Sequence, residues 1–317
     1  MAQKRTNPTT DVYTLVTDRI LEQLAQNVVP WQKPWHGGLE GAISYATGRP
    51  YSLLNQFLLG REGEYLTFKQ VKELGGKVKE GAKSQMVVFF KLFPTKDFRK
   101  KKNEQGEEEM EEVQKMIPVL RYYNVFHIED CEGIKSKLDG KPVCTLKPVE
   151  QAEKVIADYY GREKCTLEVK KSDKAFYSPL HDSVTVPMME QYDLVEEYYS
   201  TIFHETGHST GHVSRLNREL GGMFGSDKYS KEELVAEMVS AFLCQKCGLD
   251  NDKAFKNSVA YIDGWAKKLQ GDNKFIVSAA SKAEKAVKYI LTGERPTRQN
   301  RDARTFCVFL LFCRGLS

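Results

Sequence analysis

His204-Glu205-Thr206-Gly207-His208 places two imidazoles four residues apart, with a carboxylate directly after the first. On an α-helix, positions four apart lie on one face, about one turn apart. Two such imidazoles can hold one divalent ion, and zinc suits them best. A carboxylate beside the ion can then take the proton of a polarised water for attack on a carbonyl. The residues therefore point to a Zn2+ site at His204 and His208, with Glu205 as general base. Tyr198-Tyr199-Ser200-Thr201-Ile202-Phe203 continues an amphipathic helix into the pair. The plainer alternative is two satisfied surface histidines.

A zincin-type site of this kind needs a third protein ligand. His212 lies a further four residues on, but in an unbroken helix it would stand roughly 12 Å from His204. One ion reaches both only if the helix breaks, and Gly211 is where it could. The longer pattern HExxHxxGxxH requires a histidine where this chain has Ser214. Downstream, Lys231-Glu232-Glu233-Leu234-Val235-Ala236-Glu237 offers three acids. In gluzincin-type sites a glutamate from the following helix completes the set, and an acid four residues later steadies a histidine. That spacing selects Glu233 as ligand and Glu237 as its support. The reversed roles, and a solvated helix face, stay open. Tyr177–Pro187 reads as an edge strand able to pair with an extended peptide, although Pro187 limits the pairing. A structural hairpin is the alternative.

The elements that must position these groups follow from periodicity and punctuation. Helices are expected at 11–28, 52–60, 68–74 (capped by Thr67), 149–160, 194–212, 230–247, 251–269 and 273–291. Strands are expected at 85–93, 119–128, 174–177 and 183–186. Residues 99–112 join a basic block to an acidic one and read as a mobile hairpin tip. A glycine-rich loop holds Gly221, Gly222 and Gly225. Residues 129–147 read as a linker. The fold class is α+β, in two domains. The first, 8–130, sets helices on a small antiparallel sheet. The second, 145–293, is zincin-like, and 294–317 is a tail without an assigned role.

Composition sets limits. Of 317 residues, 41% are hydrophobic and 28% charged, as in a water-soluble chain. No segment offers the roughly 20 apolar residues that span a bilayer, and the N-terminus has no apolar run behind its basic residues. A cytoplasmic location without membrane contact is the expectation. Net charge is only +4, but residues 1–103 hold 17 Lys and Arg against 9 Asp and Glu. A basic first part permits an anionic partner. Cys244-Gln245-Lys246-Cys247 lacks the second ligand pair of a zinc knuckle and reads as plain thiols.

Across most of residues 8–293 the chain resembles the ArdC-type antirestriction proteins of plasmids and other mobile elements. In the first part the resemblance rests on Pro30-Trp31-x-x-Pro34-Trp35, Thr47-Gly48-Arg49-Pro50-Tyr51, Leu54-Asn55, Leu66-Thr67-Phe68-Lys69-Gln70, Leu74-Gly75-Gly76, Lys79-x-Gly81-x-Lys83-Ser84 and Tyr123-Asn124-Val125-Phe126. In the second it rests on His204-Glu205-x-x-His208-x-x-Gly211-His212-x-x-Arg215-Leu216 and Glu232–Glu237. It implies binding of incoming single-stranded DNA and its protection from host restriction, with a metallopeptidase-like module attached. Aromatic side chains stack on bases and lysines follow phosphates. By residue type Trp31, Trp35, Arg49, Tyr51, Lys69 and Lys83 are the DNA-binding candidates, with core burial the alternative for both tryptophans. Two other readings remain: a cytosolic zinc protease with a substrate-capture domain, and a non-catalytic DNA-coating protein with structural zinc. Under the first of these the partner is a protein substrate.

Overall fold

The computed structural model describes residues 11–31, 41–102, 108–138, 148–220, 227–250 and 259–295. Trp35, the glycine loop at 221–225 and the tail from 296 onward lie outside them.

The chain divides into two compact units. The smaller is the hairpin Val87–Tyr123; the larger takes the described residues up to Met86 and from Asn124 to Arg295. In the larger unit α1 (Val12–Ala25) starts at Asp11, whose carboxylate accepts from the Tyr13 amide at 3.4 Å. This N-cap lies just after Thr9 and Thr10 and meets an otherwise unpaired helix donor. Val16, Ile20 and Leu24 form the buried stripe of α1. β1 (Ala42–Ser44) pairs in parallel with β2 (Gly63–Leu66), and α2 (Leu53–Leu59) lies between them in sequence. α3 (Phe68–Glu73) opens with the capping box of Thr67 and Gln70. β3 (Lys77–Val78) pairs with β6 (Cys131–Glu132).

β4 (Gln85–Lys102) and β5 (Glu108–His127) run further than the apolar pattern predicts. Much of the charged block expected at a hairpin tip is strand. At its border the cross-strand ion pairs Lys96–Glu112 (2.8 Å) and Lys115–Asp97 (3.4 Å) tie the two charged strands together. The strand order is β1-β2-β5-β4, and β2 meets the end of β5 antiparallel, Tyr65 beside His127. The sheet is thus mixed where an antiparallel one was expected, because β1 and β2 are joined by a helix rather than a hairpin turn.

The second half begins with α4 (Pro148–Arg162), followed by β7 (Thr166–Lys170), β8 (Phe176–Ser178) and β9 (Ser183–Pro187). These strands form a three-stranded sheet in the order β7-β9-β8, with β8 on an edge and antiparallel to β9. Then come α5 (Val195–Ser209), α6 (Asp227–Cys247), α7 (Val259–Gly271) and α8 (Phe275–Thr292). Cys244 and Cys247 are fully buried in α6, as apolar filling.

α1 packs on α7 and α8, and α2 packs on α8. Trp31 meets Trp265 edge to face at a centroid distance of 6.2 Å. The Thr17 hydroxyl donates to the Asn273 carbonyl at 2.9 Å, and the Asn273 amide donates to Thr14 and Asp11. The first and last described helices of the chain therefore share one core.

Candidate metal centre

α5 carries the histidine pair. Glu196 and Glu197 occupy its first turn, where acids suit the positive end of the helix dipole. Tyr198, Tyr199, Ile202 and Phe203 bury its inner face. α6 lies directly against it, and Gly207 permits that approach. A Cβ at Gly207 would stand 3.2 Å from the Ala236 Cα and 3.3 Å from the Val239 Cβ. The close fit brings the start of α6 over the histidines.

Three donor groups converge there. His204 Nε2 and His208 Nε2 are 3.1 Å apart. Glu233 Oε2 lies 3.6 Å from His204 Nε2, and Glu233 Oε1 lies 3.4 Å from His208 Nε2. Ligand atoms held tetrahedrally at roughly 2.0–2.1 Å from one ion are about 3.4 Å from each other. The set His204, His208 and Glu233 fits a divalent ion in both chemistry and spacing, and it is the metal-type cluster among the described residues. Charge favours a cation as well. Burial pulls the pKa of His204 down, but the Glu233 carboxylate and the charges of Glu205 and Glu237 push it up to about 9. Burial also works against ionised Glu233, yet His204 and His208 hold its carboxyl below the usual range, helped by the Tyr229 hydroxyl.

His208 has a second partner. Its Nδ1 faces Glu232 Oε1 at 3.5 Å. Glu232 accepts from Arg218 on both oxygens, Nε to Oε2 at 3.0 Å and Nη2 to Oε1 at 2.6 Å. Sequence spacing points to Glu237 for support of a histidine. In the structure Glu237 adds its charge to the surroundings of His204, and Glu232 stands behind His208. Nothing in the spacing of Arg218 signals its place here.

His212 turns away. α5 ends at Ser209, three residues short of the expected helix, and the chain folds back. The Leu216 amide donates to the Thr210 carbonyl, and the Arg218 amide to the Gly211 carbonyl. His212 Nδ1 instead meets the Ser214 hydroxyl at 2.7 Å. The same turn buries Arg215, which donates to the Ser209 carbonyl at 2.7 Å and grips both oxygens of Asp182. Tyr177 on β8 donates to Asp182 at 2.8 Å. Arg215 thus ties the end of α5 to the sheet edge.

A cleft of about 300 Å³ opens over these groups, with Glu205 in its wall beside His204 and His208. Phe176, Tyr177 and Pro179 from the β8 edge form one side, and Leu220 and Tyr229 another. Glu205 is buried. The site can thus present a carboxylate and a cation to a substrate lying along β8.

Trp31 is 2% exposed and packs on Trp265, so the burial alternative holds and its ring is closed to stacking. Arg49 and Lys83 are exposed, and Tyr51 is half-buried against Tyr65. Lys69 is exposed on α3, 3.5 Å from Glu73.

Residues 150–282 match the family described as zincin-like metallopeptidase, and residues 10–126 match the N-terminal domain of anti-restriction factor ArdC. The chain is 33% identical over 300 residues to a DNA primase TraC of Escherichia coli, covering 91% of this chain and 20% of that protein. It therefore spans about a fifth of that relative's length. Two crystal structures of the antirestriction ArdC protein from plasmid R388 are similar to it, each with a TM-score of 0.67 over 88% of this chain. The metal-free one is 31% identical over 96% of its own length, and the Mn(II)-bound one 29% identical over 97%.

Proposed function

The chain belongs to the ArdC antirestriction family, and from that premise we propose that it binds single-stranded DNA of a mobile element, shields it from restriction, and carries a zinc metallopeptidase centre. The observation that carries the metal-centre part of this reading is the convergence of His204, His208 and Glu233 at 3.1–3.6 Å, with Glu205 beside them. Two imidazoles and a carboxylate suit zinc, and the R388 protein has a Mn(II)-bound form. When bound, the ion supplies Lewis acidity toward a carbonyl and a water.

The chain's own groups do the rest. Glu205 takes the proton from the attacking water and passes it to the leaving amine. The free edge of β8 pairs with an extended peptide and lays it across Glu205. Tyr229 holds Glu233 by a hydrogen bond. The partner on the first part of the chain is single-stranded DNA, met by exposed Arg49, Lys69 and Lys83 and by half-buried Tyr51. Trp35 stays a candidate by residue type. No helix among the described residues is long and apolar enough to cross a membrane, and we place the activity in the cytoplasm.

The test has two arms. A labelled single-stranded oligonucleotide is titrated with the full chain at rising salt, and affinity should fall steeply. Arg49→Ala, Lys69→Ala and Lys83→Ala should each flatten that dependence. A response indifferent to salt would end the DNA reading. In the second arm Glu205→Gln should keep its metal and lose roughly 10²–10⁴-fold in any peptide hydrolysis. Undiminished hydrolysis in that variant would remove Glu205 as the base, and undiminished DNA protection would separate protection from peptide hydrolysis.

A further inference from the structure

Arg218 lies outside the metal ligands, outside the cleft wall and outside the residues that spacing selects. Its guanidinium is nevertheless among the most fully engaged groups near the site. Nε and Nη2 donate to the two oxygens of Glu232 at 3.0 and 2.6 Å. Nη2 also donates to the Gly207 carbonyl at 2.8 Å, and Nη1 to the Thr210 hydroxyl at 2.7 Å. The Arg218 side chain is only 7% exposed, and that of Glu232 10%. One planar fork thus joins the last turn of α5 to the start of α6. Lysine, a single ammonium, cannot reproduce that geometry.

The consequence falls on His208. Glu232 Oε1 is 3.5 Å from His208 Nδ1, on the side of the ring opposite Glu233. A carboxylate fixed there favours the proton on Nδ1, which leaves the Nε2 lone pair aimed at the point shared by His204 and Glu233. Without Arg218, Glu232 would lose the guanidinium donor on each of its oxygens and could swing toward the ion as a competing ligand. We propose that Arg218 is a positioning residue of the metal centre: by clamping Glu232 it fixes the tautomer and ring orientation of His208 and keeps Glu232 out of the ligand set. This rests on His204, His208 and Glu233 being the ligands.

The experiment uses the full chain as wild type, Arg218→Ala, Arg218→Lys and Glu232→Gln. Affinities for Zn2+ and Mn2+ are measured by competition with a chromophoric chelator. Melting temperatures and the ¹⁵N shifts of the His208 ring are measured on metal-free protein. Arg218→Ala should bind either ion roughly 10- to 100-fold more weakly, and its His208 shifts should move toward a mixture of tautomers. Arg218→Lys should recover little of this. Glu232→Gln, whose amide oxygen still accepts from Nδ1–H, should keep the tautomer and lose less affinity. Should Arg218→Ala fail to fold, Arg218→Lys and Glu232→Gln carry the comparison.

Wild-type affinity with unmoved His208 shifts in the arginine variants would overturn the proposal, even if their melting temperatures fell, because that pattern belongs to a structural clamp alone. A wild-type chain that binds neither ion would sink the ligand assignment and this inference with it. Wild-type binding with indifferent variants would sink only the role of Arg218.

Discussion

At the residue scale, the donors of His204, His208 and Glu233 lie where one ion would hold them, so removing one should cost metal and stability together. His204→Ala is expected to take up no stoichiometric zinc and to lose any rise in melting temperature that zinc gives the wild type. Unchanged zinc content by mass spectrometry would refute the ligand assignment. Asp182 offers a separate pH test. Burial would raise its carboxyl, but hydrogen bonds from Arg215 and Tyr177 hold it below the ordinary value of 3.8. A depressed carboxyl contributes stability that is full above its unfolded value and is lost as pH falls through the folded one. Asp182→Asn should therefore be less stable than wild type at pH 6, and the gap should close from about pH 4 downward. Urea midpoints across that range would show it; a gap of constant size would mean that the charge contributes nothing.

At the element scale, the contact of α5 with α6 decides the site. A methyl group at Gly207 would press on Ala236 and Val239, which would have to give by a few tenths of an ångström. Gly207→Ala should push the helices apart, cost about 1–3 kcal/mol by overpacking, and weaken metal binding through displaced Glu233. A urea midpoint and zinc affinity both equal to wild type would mean that the helix pair yields without moving the donors. Much of this scale was legible in the sequence. The 3.6-residue pattern located α5 and α6 to within a few residues, and Thr67 announced the start of α3. The early end of α5 was not legible, because Gly211 and Asn217 permit the reversal without dictating it. The length of the hairpin strands was hidden by their charge, since the ion pairs that give it partners lie across strands rather than along the chain.

At the scale of the whole molecule, composition and linker pattern suggest a break near residues 129–147. The structure nevertheless packs α1 and α2 on α7 and α8. Trp31, Val16, Ile20 and Leu24 belong to the buried core, with Trp265 over Trp31. A fragment of residues 1–130 would expose that surface and is expected not to fold cooperatively. A sigmoidal thermal transition of the isolated fragment, near that of the full chain, would refute this. Within the full chain Trp31→Ala should cost about 3–5 kcal/mol, as for other buried tryptophans. Tests of DNA binding therefore belong with the full chain.

What is local could be read from the residues alone: a helix with two imidazoles on one face, a carboxylate between them, acids on the next helix, and an α+β order of elements. Spacing along a helix fixes which side chains share a face, and this chain obeys it at His204 and His208. Spacing singles out Glu233 as a ligand, but it does not say which acid stands behind which histidine. Glu232, Glu233 and Glu237 are chemically alike. Only the close packing over Gly207 sets Glu233 between the two Nε2 atoms and Glu232 behind Nδ1. The same holds for Trp31, whose type suits a base stack as well as a core. Its partner Trp265 lies more than two hundred residues away, and only the tertiary structure brings them together.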